Sequence, residues 1–255
     1  MISFSQSVDF AAKRSQAEDN VKERINSVLA NTVKNIARKT GNVNVASNKD
    51  TYISEVLSVA QNDFRLANRI VAEYITEYSK ASIKVLGDKD NGALTRMLKG
   101  KLFGKSFSQR NDTYMKYFAN DVANLLYACK IIGLNASDTS DALLKFFKDP
   151  YSSEIISRAN KKGANIQTPA YGRGIYHSAY ENIIRNAQGT IALAWNKELG
   201  SFAKRSGATF FVPHRGSSYP CPLCDSYAER AFPIETYAEN APTYHARCCC
   251  YVTFM

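Results

Sequence analysis

Long apolar runs are missing from this chain of 255 residues: no stretch approaches the roughly 18–20 residues that a membrane span needs. The N-terminus, MISFSQSVDFAAKRSQAEDN, is polar and charged and does not read as a signal peptide. Together these absences point to a protein made and kept in a cytosol, with no membrane partner. Cysteine is also scarce until the end: Cys129 stands alone, and the other five all follow residue 220. Disulfides are rare in reducing compartments, so a late cluster of thiols points to metal or reactivity rather than a disulfide framework. Only three histidines occur, which leaves little for a histidine-rich catalytic metal cluster. No internal repeat or low-complexity segment is present.

What is plentiful is positive charge. Lys and Arg total 33 against 23 Asp and Glu, a formal net charge of +10. Such an excess predicts attraction to an anionic partner: nucleic acid, an acidic protein surface or an anionic membrane. Hydrophobic content of 45% is enough for a core without staples.

Helical periodicity dominates the first two thirds. Val21, Ile25, Val28, Leu29, Val33 and Ile36 recur at helical spacing and predict an amphipathic helix from about Asn20 to Lys39, stopped by Gly41. Ile53, Val56, Leu57, Ala60, Phe64, Val71, Tyr74, Ile75 and Tyr78 predict a second, longer helix, with Asp50 as its N-cap and Gly87 after its end. Met115 to Ile132 carries a third stripe behind an Asn111-Asp112 cap, with Cys129 as a buried filler, and a short helix is expected from Ser140 to Phe147. Ile175 to Gly207 carries the last helical stripe.

Two stretches lack acidic residues. From Asn91 to Asn111 the segment carries Arg96, Lys99, Lys101, Lys105 and Arg110 interleaved with Leu98, Leu102, Phe103 and Phe107, and reads as a basic, exposed arm or loop. Between Glu154 and Glu181 lie Lys161, Lys162 and Arg173, in a Gly- and Pro-containing connection whose GRG at Gly172 to Gly174 reads as a turn. These cations are candidate contacts for phosphates or an acidic protein surface. The connection sets a boundary near Asn165, so a helical body over 1–165 is expected to precede a module over 166–255.

The tail changes character. ATFFVPHR, AFPIE and CCYVTFM are short β-prone runs, so the fold class expected is α+β, a mainly helical body followed by a small zinc-stabilised β/loop module. Its Cys221-x2-Cys224 is followed 20 residues later by His245-x2-Cys248. Two such pairs suit a tetrahedral zinc ion, because a short knuckle brings two side chains of one turn onto one ion. A tail with few large aliphatics gains from a structural zinc, whose binding can add on the order of 10 kcal/mol to folding. In a strand, Cys248 and Cys250 face one side and Cys249 the other. Cys248 pairs most compactly with His245, and Cys250 is the alternative fourth ligand. Four protein ligands close the shell, so no catalysis is expected there. His214 is the best remaining acid/base candidate. Two competing readings stand beside this one: a zinc-stabilised nuclease or other DNA-acting enzyme, and a basic zinc-containing nucleic-acid-binding protein.

CPLC at Cys221 to Cys224, FPI at Phe232 to Ile234 and HARCCC at His245 to Cys250, behind the helix YENIIRNAQGTIALAWNKELG, resemble the C-terminal signature of the Mu F-like minor head proteins of tailed phages, the phage head morphogenesis family. The resemblance covers about the last 85 residues. Ala246 stands where that family has Pro, Cys249 where it has Arg, and Ala228 to Arg230 where a Gly is usual. The resemblance implies a minor capsid protein that associates with the portal during head assembly in the host cytoplasm and stays in the head interior of the virion, near packaged DNA. The portal protein is the implied partner, with the major capsid protein and the DNA beside it.

Overall fold

The structure is a computed structural model, and it describes every residue except 1, 42, 44–47, 90–91, 103, 172–175 and 246. The Gly172 to Gly174 turn, Phe103 and the first stripe position Ile175 therefore lie outside the described residues. The chain is α+β: a largely helical body and, near the C-terminus, a small three-stranded sheet. In order, the helices are α1 (Phe4–Lys39), α2 (Lys49–Val85), α3 (Ala93–Lys99), α4 (Phe107–Ile131), α5 (Ala136–Phe146), α6 (Glu154–Lys161), α7 (Ala179–Arg205), α8 (Pro222–Asp225) and α9 (Tyr237–Asn240). The strands are β1 (Lys101–Leu102), β2 (Lys105–Ser106), β3 (Phe210–His214), β4 (Phe232–Pro233) and β5 (Tyr251–Phe254).

Residues group into two compact units, each discontinuous in sequence. The first takes 1–23, 73–107 and 185–255, and the second takes 24–72 and 108–184. In the second, Ile25, Leu29 and Ile36 of α1, Tyr52, Val56 and Phe64 of α2, and Phe118, Leu125, Leu126 and Cys129 of α4 are buried. Edge-to-face rings tie them together: Phe64 meets Phe118 at 6.3 Å, and Phe118 meets Phe147 at 6.2 Å. Buried Asp121 caps the N-terminus of α7 from inside this unit. One oxygen accepts from Ala179 N at 3.1 Å and the other from Tyr151 Oη at 2.9 Å and from Tyr171 Oη. Burial nevertheless lifts its pKa to about 6.

In the first unit, Phe10 packs on the fully buried Trp195 at 4.9 Å, and the indole N–H donates to Tyr78 O at 2.8 Å. The tail folds on this base. After α7, Gly207 adopts a left-handed φ of 83°, which an ordinary side chain disfavours, and turns the chain into β3. β3 lies between β4 and β5, antiparallel to both, with Phe211 opposite Phe254 and His214 opposite Tyr251. Gly200 admits the Tyr237 ring, which would stand 2.3 Å from a Cβ at that position.

Several expected boundaries move. α1 starts at Phe4 instead of near Asn20, because Ser7, Phe10, Arg14 and Ala17 continue the buried face of Val21 toward the N-terminus. The side-chain cap of α2 is Asn48, whose Oδ1 accepts from Thr51 N at 3.0 Å; Asp50 lies in the first turn, where its charge suits the helix N-terminus. Asn111 is interior to α4 and buried, donating to Asn68 Oδ1 at 2.6 Å, so it does not cap. α5 begins earlier, at Ala136, where Asn135 Oδ1 accepts from Asp138 N at 2.9 Å. The basic segment after Asn91 is not a loop: it forms α3 and the β1–β2 hairpin, because Leu94 is buried with Ile83 and Ala194 while Met97 and Leu98 pack against that cluster.

Candidate metal centre

The centre lies entirely within the first unit. Its two halves are 20 residues apart in sequence, and the sheet closes that distance. Pairing of His214 with Tyr251 sets the end of β3 beside the start of β5, so Arg215 and Gly216 run next to Cys249 and Cys250. The approach is close: a Cβ on Gly216 would stand 2.0 Å from Cys249 O. Only glycine fits there, and its amide also hydrogen-bonds the Cys250 sulfur.

From Gly216 the chain reaches the knuckle. Cys221 is the residue before α8 and Pro222 takes the first helical position, where its missing N–H costs nothing. The turn closes with Asp225 N donating to Cys221 O at 2.9 Å. Arg215 pairs with Asp225 and donates to Tyr219 O, fastening the strand end to the knuckle. A stacked Tyr227 and Tyr244 pair, centroids 4.4 Å apart, holds the knuckle to the segment that carries His245.

The donor atoms converge on Cys224. His245 Nε2 lies 3.3 Å from Cys221 Sγ and 3.1 Å from Cys224 Sγ, and Cys224 Sγ lies 4.0 Å from Cys248 Sγ. Within each of two triads, Cys221–Cys224–His245 and Cys224–Cys248–Cys250, the donors lie within 4.8 Å of one another. A tetrahedral ion with sulfur at about 2.3 Å and nitrogen at about 2.0–2.1 Å would set S···S edges of about 3.8 Å and S···N edges of about 3.6 Å. The two S···N spacings are shorter than that edge and the S···S spacing slightly longer, so the cluster is compatible with a bound metal once the donors adjust by a few tenths of an ångström. All six cysteines are free thiols.

The surroundings favour thiolates at two of these positions. Backbone N–H groups of Cys224 and Leu223 aim at Cys221 Sγ and hold its pKa below the usual thiol range. Cys248 is lowered by the hydrogen bond from the Cys250 thiol and by the amides of Tyr244 and Cys250, against the opposing effect of burial. The same contact raises Cys250, and burial raises Cys224. A divalent cation would reverse the latter effects by supplying the missing positive charge. Cys248 and Cys250 are buried on the cluster side and Cys249 is exposed, the alternation expected of a strand, although β5 itself begins at Tyr251. Both Cys248 and Cys250 remain within reach as the fourth ligand.

His214 stands apart from these ligands. Its Nδ1 faces both Glu229 carboxylate oxygens at 3.0 and 3.1 Å, its Nε2 faces Thr253 Oγ1 at 2.7 Å, and its ring stacks on Tyr251 at 5.1 Å. Both ring nitrogens are thus engaged within the sheet. Glu229 sits at φ 60°, a left-handed conformation that glycine adopts at no cost.

The basic candidates divide between the units. Arg96 and Lys99 on α3 and Lys101 and Lys105 on the hairpin are exposed in the first, while Arg110 on α4 is half-buried in the second. Lys161 and Lys162, at the end of α6, are exposed in the second. Arg173 lies outside the described residues. The second unit also holds an open cavity of about 360 Å³, lined in part by Asp149, Tyr151, His177 and Glu181, without cysteine. Among the described residues, no helix is long and apolar enough to cross a membrane.

Sequence reading missed Gly216, the Tyr227–Tyr244 stack and Arg14. Arg14 carried a signal, being a charge on the buried stripe of Ser7, Phe10, Ala17 and Val21. No family model, curated protein or solved structure matches the chain.

Proposed function

We propose that this protein is a structural, non-enzymatic minor head component of a tailed phage or prophage, whose C-terminal module is stapled by one zinc ion. The observation that supports it is the convergence of Cys221, Cys224 and His245 with Cys248 and Cys250 on a small sheet, in the order of the resembled minor head proteins. Soft thiolates with one imidazole in a tetrahedral arrangement favour zinc over harder cations. Cys221 and Cys224 hold it from the knuckle, His245 through Nε2, and Cys248 or Cys250 from the approach to β5. When bound, the ion contributes folding free energy, and four protein ligands leave no position for a substrate water. The exposed cations Arg96, Lys99, Lys101, Lys105, Lys161 and Lys162 suit packaged DNA or an acidic face of the portal or major capsid protein. This reading places the protein in the host cytoplasm during assembly and in the head interior afterwards.

The test has two arms. Purified protein should carry about one zinc per chain, and mass spectrometry of purified particles of the encoding phage should find the protein in the virion. Absence from particles would sink the head-protein reading while leaving the metal site standing. The competing reading, a zinc-stabilised DNA-acting enzyme, draws on the hydrogen-bonded Glu229–His214–Thr253 arrangement. Metal-dependent DNA cleavage abolished by His214→Ala would select it.

A further inference from the structure

The tail module looks detachable in sequence, yet its ligand segment is held by a buried side chain from the other end of the chain. Arg14, on α1, has its guanidinium almost wholly enclosed. Its Nη2 donates to Cys248 O at 3.3 Å and to Cys250 O at 3.2 Å. Its Nη1 donates to Asn196 Oδ1 on α7 at 3.0 Å, and its Nε stands 3.3 Å from Glu18 Oε1. The guanidinium is a planar fork with five donors, suited to fixing several acceptors at once. Here it fixes the two carbonyls on either side of Cys249.

Those carbonyls set the path of the segment that carries both fourth-ligand candidates. With the Cys248 and Cys250 carbonyls drawn to α1, the two sulfurs sit in the cluster with Cys224, and Cys249 is left outside. Without the guanidinium, two backbone acceptors lose their buried donor, and the segment must shift to rehydrate them. A shift of a few tenths of an ångström matters at a site whose ligand distances are set within about 0.2 Å.

We infer that Arg14 is the positioning residue of the metal centre, so that metal binding and the docking of the first turns of α1 form one coupled equilibrium. The inference rests on the metal reading above. Coupling is reciprocal: if α1 improves metal affinity, metal must stabilise α1 by the same factor. The N-terminal helix therefore reports the metal state of the C-terminal module, and a partner that pulled α1 away would weaken metal retention.

The experiment uses the full chain and Co²⁺ as the probe, with affinity and the ligand-field spectrum measured for wild type, Arg14→Met, Arg14→Lys and Leu125→Ala. Amide hydrogen exchange over residues 4–23 is followed with and without the metal. Leu125 is fully buried on α4, in the unit that does not hold the metal centre, so its truncation controls for general destabilisation. Arg14→Met should weaken Co²⁺ binding at least tenfold and abolish metal-dependent protection of α1. Arg14→Lys should recover part of the affinity, and Leu125→Ala should leave it within about twofold while lowering stability. Wild-type affinity in Arg14→Met, or equal loss in Leu125→Ala, overturns the inference while the metal site stands. Wild-type protein that takes up no Co²⁺ overturns both.

Discussion

Replacing Cys224 with serine should do more damage to metal binding than any other single thiol change, because Cys224 is the donor common to both triads. The sulfur is buried, 3.1 Å from His245 Nε2 and 4.0 Å from Cys248 Sγ. Structural zinc sites bind with an apparent 10–16 kcal/mol, so each of four ligands accounts for about 2.5–4 kcal/mol if shared evenly. Loss of one should weaken affinity roughly 100-fold or more. Cys249→Ser provides the contrast: its sulfur is exposed and its one hydrogen bond runs to Arg247 O at 3.6 Å, so affinity should change by less than about twofold. Competition with a chromophoric chelator reads the affinity, and the thiolate-to-Co²⁺ charge-transfer band counts the sulfurs. Cys248→Ser and Cys250→Ser then assign the fourth ligand, since only the true ligand loses band intensity. Wild-type affinity in Cys224→Ser, or equal loss in Cys249→Ser, would refute convergence on one ion.

Gly216→Ala should weaken the same site at least tenfold by chelator competition, because the new methyl meets Cys249 O at 2.0 Å and pushes the ligand segment away; unchanged affinity would refute that close approach. Asp121, raised by burial from 3.8 to about 6, binds more protons folded than unfolded, so its stabilising protonation is complete below about pH 4 and lost as pH rises through 6. Wild type should therefore gain about 2 kcal/mol relative to Asp121→Asn between pH 7 and pH 4, read by urea unfolding, and parallel curves would contradict it. At Glu229, φ 60° favours glycine by about 1 kcal/mol over alanine, so Glu229→Gly should be more stable than Glu229→Ala by that amount in denaturant melts. Equal stabilities would count against the left-handed turn.

How much was legible depended on whether the signal was local. The stripes of Val21 to Ile36 and Ile53 to Tyr78 announced their helices because burial on one face imposes a helical period, and Cys129 fell on its stripe and is buried. The knuckle Cys221-x2-Cys224 and the pair His245-x2-Cys248 were legible because metal geometry fixes short spacings. Helix starts were less so. Asn111-Asp112 looked like a cap from composition, but Asn111 finds a better partner in Asn68, 43 positions away. The segment after Asn91 looked like a loop because five cations hide an apolar face of only three side chains, Leu94, Met97 and Leu98, which needs Ile83 and Ala194 to define it. Arg14 was legible only as a charge on a buried stripe; its role at the site was not, because its acceptors lie 234 and 236 positions downstream.

The same distance explains why so poor a tail can hold a shape. After Gly207 the largest buried apolar side chains are Phe211, Ile234, Val252 and Phe254, too few to order some 50 residues against their conformational entropy. The sheet contributes three short strands, and only β3 pairs on both edges. What remains is polar work done by long-range partners: Arg14 satisfies two carbonyls that no strand satisfies, and Asn196 holds Arg14 in turn. A buried guanidinium is costly unless every donor has a partner, so a site built this way gains specificity more than stability. On the zinc reading proposed above, the ligand cluster supplies the further stabilising term. Stripping metal with a chelator should loosen β3, β5 and the first turns of α1 together, and leave the 24–72 and 108–184 unit intact with its ring-packed core. Hydrogen exchange that showed α1 residues 4–23 unaffected while the sheet opened would mean that the two ends of the chain are merely adjacent.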